Sequence, residues 1–258
     1  MSRKPASRED PGFPWLGEES SFSFPDPSTA DPFGVLCSGG NLSPGMLLSA
    51  YRQGIFPWFN DDDPILWWSP DPRFVLVPDE LHVSRTMRRV FRSGRFELSV
   101  DRDFRAVIEA CAARERPGQN GTWITRDMIE AYVRLHALGW AHSAEARLDG
   151  VLVGGCYGIS IGDAFFGESM FSRADDASKA AFLALALLLR EDGIALIDSQ
   201  VRTDHVASLG GREIPRDDYL ERLRSALGAR SRKGSWAERW PGFPHSAAME
   251  RVLAGGLP

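Results

Sequence analysis

The sequence predicts an α+β fold, a mixed sheet flanked by helices and preceded by a small N-terminal unit. Two observations carry this. Three β-rich segments, 143–148, 151–160 and 164–171, are separated by the turn dipeptides Asp149-Gly150 and Gly162-Asp163, the pattern of an antiparallel meander. An apolar helix over 177–190 then stops before Gly193 and leads to a strand Ile194–Ile197, so the chain crosses over instead of extending the meander. With 258 residues, 43% of them hydrophobic and 25% charged, the chain can bury a substantial core, and global disorder is excluded.

The remaining elements follow in order. Residues 1–32 hold six prolines and six serines, a composition expected to stay mostly flexible. A unit spanning 33–71 begins with a short helix over 44–53. Ser43 stands at its N-cap, Pro44 at its first position and Gly54 at its stop, with Leu42 and Leu47 spaced as a hydrophobic staple. A Trp/Pro-rich loop follows to Pro72, and Phe74–Val77 reads as a strand closed by Pro78. Phe104, Val107, Ile108 and Cys111 fall on one helical face behind Asp101 or Asp103. Met128, Ala131, Tyr132 and Leu135 repeat that spacing behind Thr125 and end at Gly139. Leu220, Leu223 and Leu227 predict one more helix, which ends the unit of 72–228, and the tail 229–258 is expected to be loosely ordered.

Composition excludes several classes of function. The formal charge of -5 rules out a generally basic nucleic-acid coat, though not a local basic patch. Cys37, Cys111 and Cys156 form no CxxC pair, so neither a disulfide framework nor a zinc ribbon is supported. The longest apolar run, Ala180 to Leu189, is half of the roughly 20 residues that a membrane span needs. No apolar segment follows Arg3 and Lys4, so no secretory signal is read, and a soluble cytoplasmic protein is expected. GxxxxGK[ST], GxSxG, HExxH and EF-hand patterns are absent, and His82, His136 and His142 read as structural.

Four features could carry chemistry. Arg85, Arg88, Arg89 and Arg92 occupy one face of a possible helix, with no acidic residue between His82 and Phe96. Like charges at that spacing disfavour a helix by roughly 0.2–0.5 kcal/mol per pair, so the stripe is either a solvated face balanced from elsewhere or a seat for phosphates. Tyr51, Phe56, Trp58, Phe59, Trp67 and Trp68 crowd eighteen proline-punctuated residues, and the rings either seal a domain junction or stack on a base. Glu168, a lone carboxylate among apolar residues, needs a partner, either Arg173 or a cationic substrate group. Asp198 and Gln200 follow a strand. If its geometry continues, both point to one side, where the carboxylate could hold the amide against a developing oxyanion or an attacking amine.

The order of elements is shared with N-acyltransferase domains, but no [QR]xxGx[GA] turn leads into the helix at 177–190, which counts against a CoA donor. An acyl-CoA-dependent N-acyltransferase and a non-catalytic RNA-binding protein are the alternative readings.

Longer motifs are more specific. VLCSGGNLSPGMLLSAYRQGIFPWF at 35–59, ILWWSPDPR at 65–73 and LHVSR at 81–85 are followed by GTWIT at 121–125 and AHS at 141–143. FFGESMFSR at 165–173, ASK at 177–179, LIDSQ at 196–200 and SLGGREIPR at 208–216 complete the set. Together they resemble the leucyl/phenylalanyl-tRNA–protein transferase family from about Phe24 to Leu223. The resemblance implies a small N-terminal domain and an N-acetyltransferase-like (GNAT-type) C-terminal domain. It implies transfer of Leu or Phe, less readily Met, from aminoacyl-tRNA to the α-amine of proteins beginning with Arg or Lys, which creates a degradation signal.

By the same resemblance, Asp198 and Gln200 match the catalytic pair. Tyr51, Trp58, Trp123, Cys156, Phe165, Gly167, Glu168, Leu185 and Ile197 match positions around the aminoacyl pocket and terminal adenosine. The arginine stripe matches a basic region that holds the acceptor stem. Asn41, Arg147, Cys156 and Ser199 depart from the family's usual Asp, Trp, bulkier Met or Leu, and Cys. An activated ester donor requires neither metal nor cofactor, and the protein is expected to act as a monomer.

Overall fold

The computed structural model describes residue 10 and residues 12–113, 122–244 and 247–254. The elements of the N-terminal unit are β1 (Val35–Ser38), α1 (Pro44–Arg52), β2 (Phe56–Pro57) and β3 (Leu66–Trp68), with Gly39, Gly40 and Asn41 in the turn from β1 to α1. The strands form a small antiparallel sheet in the order β1-β3-β2. Ser43 sits at the N-cap in extended backbone, as expected, but its hydroxyl makes no capping bond. Asn41 Oδ1 instead accepts from Ser43 N at 3.1 Å.

The expectation of flexibility fails for the segment before Gly34. Residues 12–32 form a mostly irregular strap whose Phe13, Leu16, Phe22 and Phe24 pack against the first core. Its backbone is held by α1 and its C-cap: Ser49 Oγ accepts from Phe22 N at 2.9 Å, and Gln53 Nε2 donates to Phe22 O at 2.8 Å. Asn41 Nδ2 donates to Pro14 O at 3.0 Å, a bond that an Asp could not make here because a carboxylate has no N–H. Four apolar residues, diluted by prolines in the average composition, are enough to anchor the strap because another element supplies its hydrogen bonds.

The larger unit contains β4 (Arg73–Leu76), α2 (Arg85–Ser93), β5 (Glu97–Val100), α3 (Phe104–Ala112), α4 (Arg126–Ala137), β6 (Ala141–Leu148), β7 (Val151–Ile161), β8 (Ala164–Ser172), α5 (Ala177–Glu191), β9 (Leu196–Asp198), α6 (Asp204–Ala207), β10 (Arg212–Ile214) and α7 (Arg216–Leu227). Asp103 caps α3, accepting from Ala106 N, and Thr125 caps α4, accepting from Met128 N. Seven strands form one mixed sheet, β10-β4-β9-β8-β7-β6-β5, parallel between β8 and β9 and antiparallel elsewhere. This is the expected α+β plan. The strand after α5 begins two residues later than its apolar pattern implied, at Leu196.

The period of two along the strands divides the interior. Tyr157, Phe166 and Leu196 face a core closed by α1, α3 and α4, whereas Cys156, Phe165 and Ile197 face a second core filled by α5. The first core runs without interruption from the N-terminal unit into the sheet, with Tyr51 and Phe166 rings 5.0 Å apart.

The described part of the tail is more ordered than expected. It contains α8 (Trp236–Arg239) and α9 (Ala247–Leu253). Trp236 is fully buried, its ring stacked on His142 at 3.8 Å, and its backbone N–H donates to Asp101 Oδ2 at 2.9 Å. Arg232 ties the tail to Asp163 and Asp192. These partners lie 40 or more residues away, so no local periodicity in the tail announces them. Among the described residues, no helix is long and apolar enough to cross a membrane.

Candidate active site

Pairing between β8 and β9 ends at Phe166↔Asp198. Past that point a cavity of about 500 Å³ opens, lined by Gly167, Glu168, Ser199 and Gln200 among others. A β-bulge places Glu168 there. Tyr157 pairs with Ser169 and Gly158 pairs with Gly167, so Glu168 is the extra residue on β8. A bulge turns a side chain out of the ordinary alternation, and this one carries the carboxylate to the cavity. Gly158 lets the strands approach: a Cβ there would stand 2.2 Å from Phe166 O.

Glu168 is 8% exposed. Its Oε1 accepts from Gln200 Nε2 at 2.8 Å, and its Oε2 accepts from Tyr132 Oη at 3.1 Å. Arg173, the sequence-based alternative partner, instead lies over the Phe171 ring. Burial pushes the Glu168 carboxyl up to about 7. The hydroxyls of Tyr51 and Tyr132 and the Gln200 amide pull against that, and the nearby Asp198 charge adds to it. Tyr51 stands one step behind, its hydroxyl in a short hydrogen bond with that of Tyr132. Burial, reinforced by the Glu168 charge, holds the Tyr51 phenol well above its ordinary value.

Asp198 and Gln200 do not share one side of a continuing strand. The strand ends at Asp198, and Gln200 adopts a left-handed φ of 62°. Asp198 is fully buried and accepts Arg73 Nε at 2.9 Å, Arg73 Nη2 at 2.7 Å and Tyr219 Oη at 2.8 Å. Its Oδ1 also accepts the backbone N–H of Gln200 at 2.8 Å. The carboxylate that orients the Gln200 amide is therefore Glu168, while Asp198 holds the Gln200 main chain. With a carboxylate as its partner, the bonded end of that amide must be the NH₂ group.

Of the residues singled out in the sequence, Phe56, Trp58, Trp123, Cys156, Phe165, Gly167, Glu168 and Gln200 line the cavity. Tyr51, Leu185, Ile197 and Asp198 are fully buried and do not. Phe182, one turn before Leu185 on α5, lines it instead. Burial raises the Cys156 thiol well above its ordinary value, so at neutral pH it is an apolar wall and not a thiolate.

The residues that sequence reading missed are Tyr132, Arg73 and Tyr219. Arg73 belongs to the ILWWSPDPR motif, and the buried charge of Asp198 demands a cation, but nothing local says which one. In the aromatic loop, Tyr51, Phe56, Phe59 and Trp67 are core residues. Trp58 and Trp68 remain half-buried, with ring centroids 5.2 Å apart, and both line a second hollow of about 590 Å³ that shares Trp58 and Trp123 with the first.

The arginine stripe lies on α2, capped by Ser84 and stopped by Gly94 at a φ of 60°. Arg85, Arg89 and Arg92 are exposed and Arg88 is half-buried. Among the described residues none of the four pairs with a carboxylate. Arg88 donates to Val83 O, and Arg92 donates to Leu253 O at the end of α9, so the tail engages one end of the stripe. If the stripe meets phosphates, Arg88→Ala/Arg89→Ala raises the KM for charged tRNA and lowers the slope of log KM against log salt by about 1–2. An unchanged slope would show that the stripe is a solvated face.

The family model for leucyl/phenylalanyl-tRNA protein transferase matches residues 75–224, and the model for its N-terminal domain matches residues 40–71. A leucyl/phenylalanyl-tRNA–protein transferase of Anaeromyxobacter dehalogenans (strain 2CP-C) is 54% identical over 222 residues, 86% of this chain and 95% of that protein. One from Myxococcus xanthus (strain DK1622) is 52% identical over 223 residues, 86% and 95% of the two chains. Among solved structures, a GCN5-related N-acetyltransferase from Kribbella flavida overlaps 66% of this chain and 61% of its own, with a TM-score of 0.35 and 13% identity. Matched over most of its length by both family models and by relatives more than half identical, this chain belongs to the leucyl/phenylalanyl-tRNA–protein transferase family and is an aminoacyltransferase.

Proposed function

We propose that the protein moves Leu or Phe, less readily Met, from aminoacyl-tRNA to the α-amine of proteins that begin with Arg or Lys, and so creates a degradation signal. The observation that carries this reading is the Glu168–Gln200 pair, joined at 2.8 Å in the wall of a largely apolar cavity. Phe165, Met170, Phe182 and Cys156 offer the donor's apolar side chain a dry wall, and Trp58 offers a stacking face for the terminal adenosine. The acceptor's α-amine, with an ordinary pKa near 7.7–8.0, is neutral for roughly a tenth or more of the time at pH 7, so a strong base is unnecessary. Attack forms the amide bond and breaks the ester C–O bond. The proton leaves the amine for the departing ribose hydroxyl, through its neighbour or a water.

The Gln200 amide keeps one N–H on Glu168. Its second N–H is available to a developing oxyanion and its oxygen to an N–H of the attacking amine. Glu168 retains lone pairs for a cationic group, either the aminoacyl ammonium or the acceptor's basic side chain. The groups this chemistry uses all come from one chain, which is consistent with action as a monomer.

The test mixes Leu-tRNA with a peptide beginning with Arg and reads the added leucine by mass spectrometry, with a peptide beginning with Gly as control. Transfer to the Arg peptide alone, abolished when the donor is pretreated with ribonuclease, supports the reading. Transfer from an acyl-CoA, or equal transfer to both peptides, overturns it.

A further inference from the structure

Gln200 is held in a conformation that a non-glycine residue adopts only when its surroundings dictate it. Left-handed backbone brings the Cβ of an L-residue against its own carbonyl and is therefore disfavoured. Three contacts impose it here. Asp198 Oδ1 accepts the Gln200 N–H at 2.8 Å, Phe74 N donates to Gln200 O at 3.1 Å, and Ser199 N donates to Phe74 O at 3.0 Å. The last two come from β4, the strand that carries Arg73.

Arg73 is 1% exposed and meets Asp198 with both ends of its fork, Nε to Oδ1 at 2.9 Å and Nη2 to Oδ2 at 2.7 Å. Its guanidinium lies between two rings, with Cζ 4.7 Å from the centroid of Phe56 and 4.5 Å from that of Tyr219. Tyr219 also donates its hydroxyl to Asp198 Oδ2. Phe56 belongs to the N-terminal unit and lines the cavity next to Trp58, and Tyr219 belongs to α7. The planar fork fixes not only the charge of Asp198 but the direction of each oxygen, which leaves Oδ1 aimed at the Gln200 N–H.

We propose that Arg73 is a positioning residue for Gln200, acting through Asp198, and that the Phe56–Arg73–Tyr219 stack locks the amide of Gln200 onto Glu168. This rests on the reading of Gln200 given above, but it has a readout of its own. A lysine supplies the cation as a point charge and cannot hold both oxygens. Arg73→Lys should therefore free the Gln200 loop while keeping Asp198 paired.

In ¹⁵N spectra of the full chain, the side-chain amide of Gln200 is identified by its loss in Gln200→Ala. Its hydrogen exchange should quicken at least tenfold in Arg73→Lys, whatever the substrate. In transfer assays Arg73→Lys should lower kcat about 100-fold with the KM for Leu-tRNA within twofold. In a Gln200→Ala background the same change should cost less than threefold, because the group it positions is already gone.

Tyr219→Phe, which removes one hydroxyl and leaves the ion pair, serves if Arg73→Lys does not fold. It should lower kcat several-fold, with the same disappearance in the Gln200→Ala background. Unchanged exchange of the Gln200 amide in the variant that folds overturns the proposal. So does a kcat loss that persists in full without Gln200, which would mark Arg73 as a purely structural residue. Absence of transfer by the wild type would overturn the functional reading alone, since the exchange measurement stands without it.

Discussion

Replacing Gln200 with alanine is expected to lower the single-turnover rate of transfer from Leu-tRNA to an Arg-initiated peptide by about 10²- to 10³-fold, the usual loss when one preorganised oxyanion donor is removed. Because Gln200 sits at a φ of 62°, folding and chemistry can be separated by a second substitution. Gln200→Gly removes the same side chain but also the left-handed strain. It should be as inactive as Gln200→Ala yet more stable than it by about 1 kcal/mol, read from denaturant midpoints. If Gln200→Gly and Gln200→Ala transfer leucine within threefold of wild type, the amide plays no part in the chemical step. If Gln200→Gly is the less stable of the two, the left-handed conformation is not a source of strain.

Glu168→Gln should separate stability from activity by sign. Burial raises the carboxyl from 4.5 to about 7 in the folded chain. Between these values the folded state holds a proton that the unfolded chain has lost, so stability falls as pH rises from about 4.5 to about 7 and is flat above. A shift of that size corresponds to about 3 kcal/mol. A glutamine cannot ionise, yet it can accept from Gln200 Nε2 and donate to Tyr132, so the variant should be more stable than wild type above pH 7 and no more stable near pH 4.5. Its activity should move the other way. In wild type the transfer rate rises through an inflection near 7 as the carboxylate forms, and a second rise follows the acceptor amine at 7.7–8.0. The variant should keep only the second and run about 10- to 100-fold slower at pH 8. Thermal melts and pH–rate profiles on the same preparation check both signs. A variant destabilised at pH 8, or one that retains the lower inflection, would contradict this assignment of Glu168.

How much of the site was legible in sequence depended on whether a residue's partner was local. Glu168 stood out as a lone carboxylate in an apolar strand, and Trp58, Trp123 and Phe165 stood in motifs that end at the cavity. The arginine stripe was legible because four cations on one helical face need no tertiary information. Tyr132 was visible only as an apolar position of α4, since its hydroxyl acquires meaning from Glu168, 36 residues later. Arg73 and Tyr219 lie 125 and 21 residues from Asp198, and no periodicity links them. The expected alignment of Asp198 with Gln200 failed for a related reason. Strand alternation holds only while ladder partners hold the chain extended, and β9 loses its β8 partner at Asp198.

By itself the sequence determined the meander at 143–171, the helices with their caps and stops, and a family membership carried by ordered motifs. These rest on short-range sterics, on hydrophobic period and on residue identity, which the chain states directly. Tertiary structure alone decided which carboxylate faces the cavity and which is sealed against Arg73, that the N-terminal strap and Trp236 are ordered, and that a bulge aims Glu168. Each of these depends on desolvation and on hydrogen-bond partners brought from distant segments, and two carboxylates written alike become different groups once one is paired with a cation in the interior and the other lines a cavity.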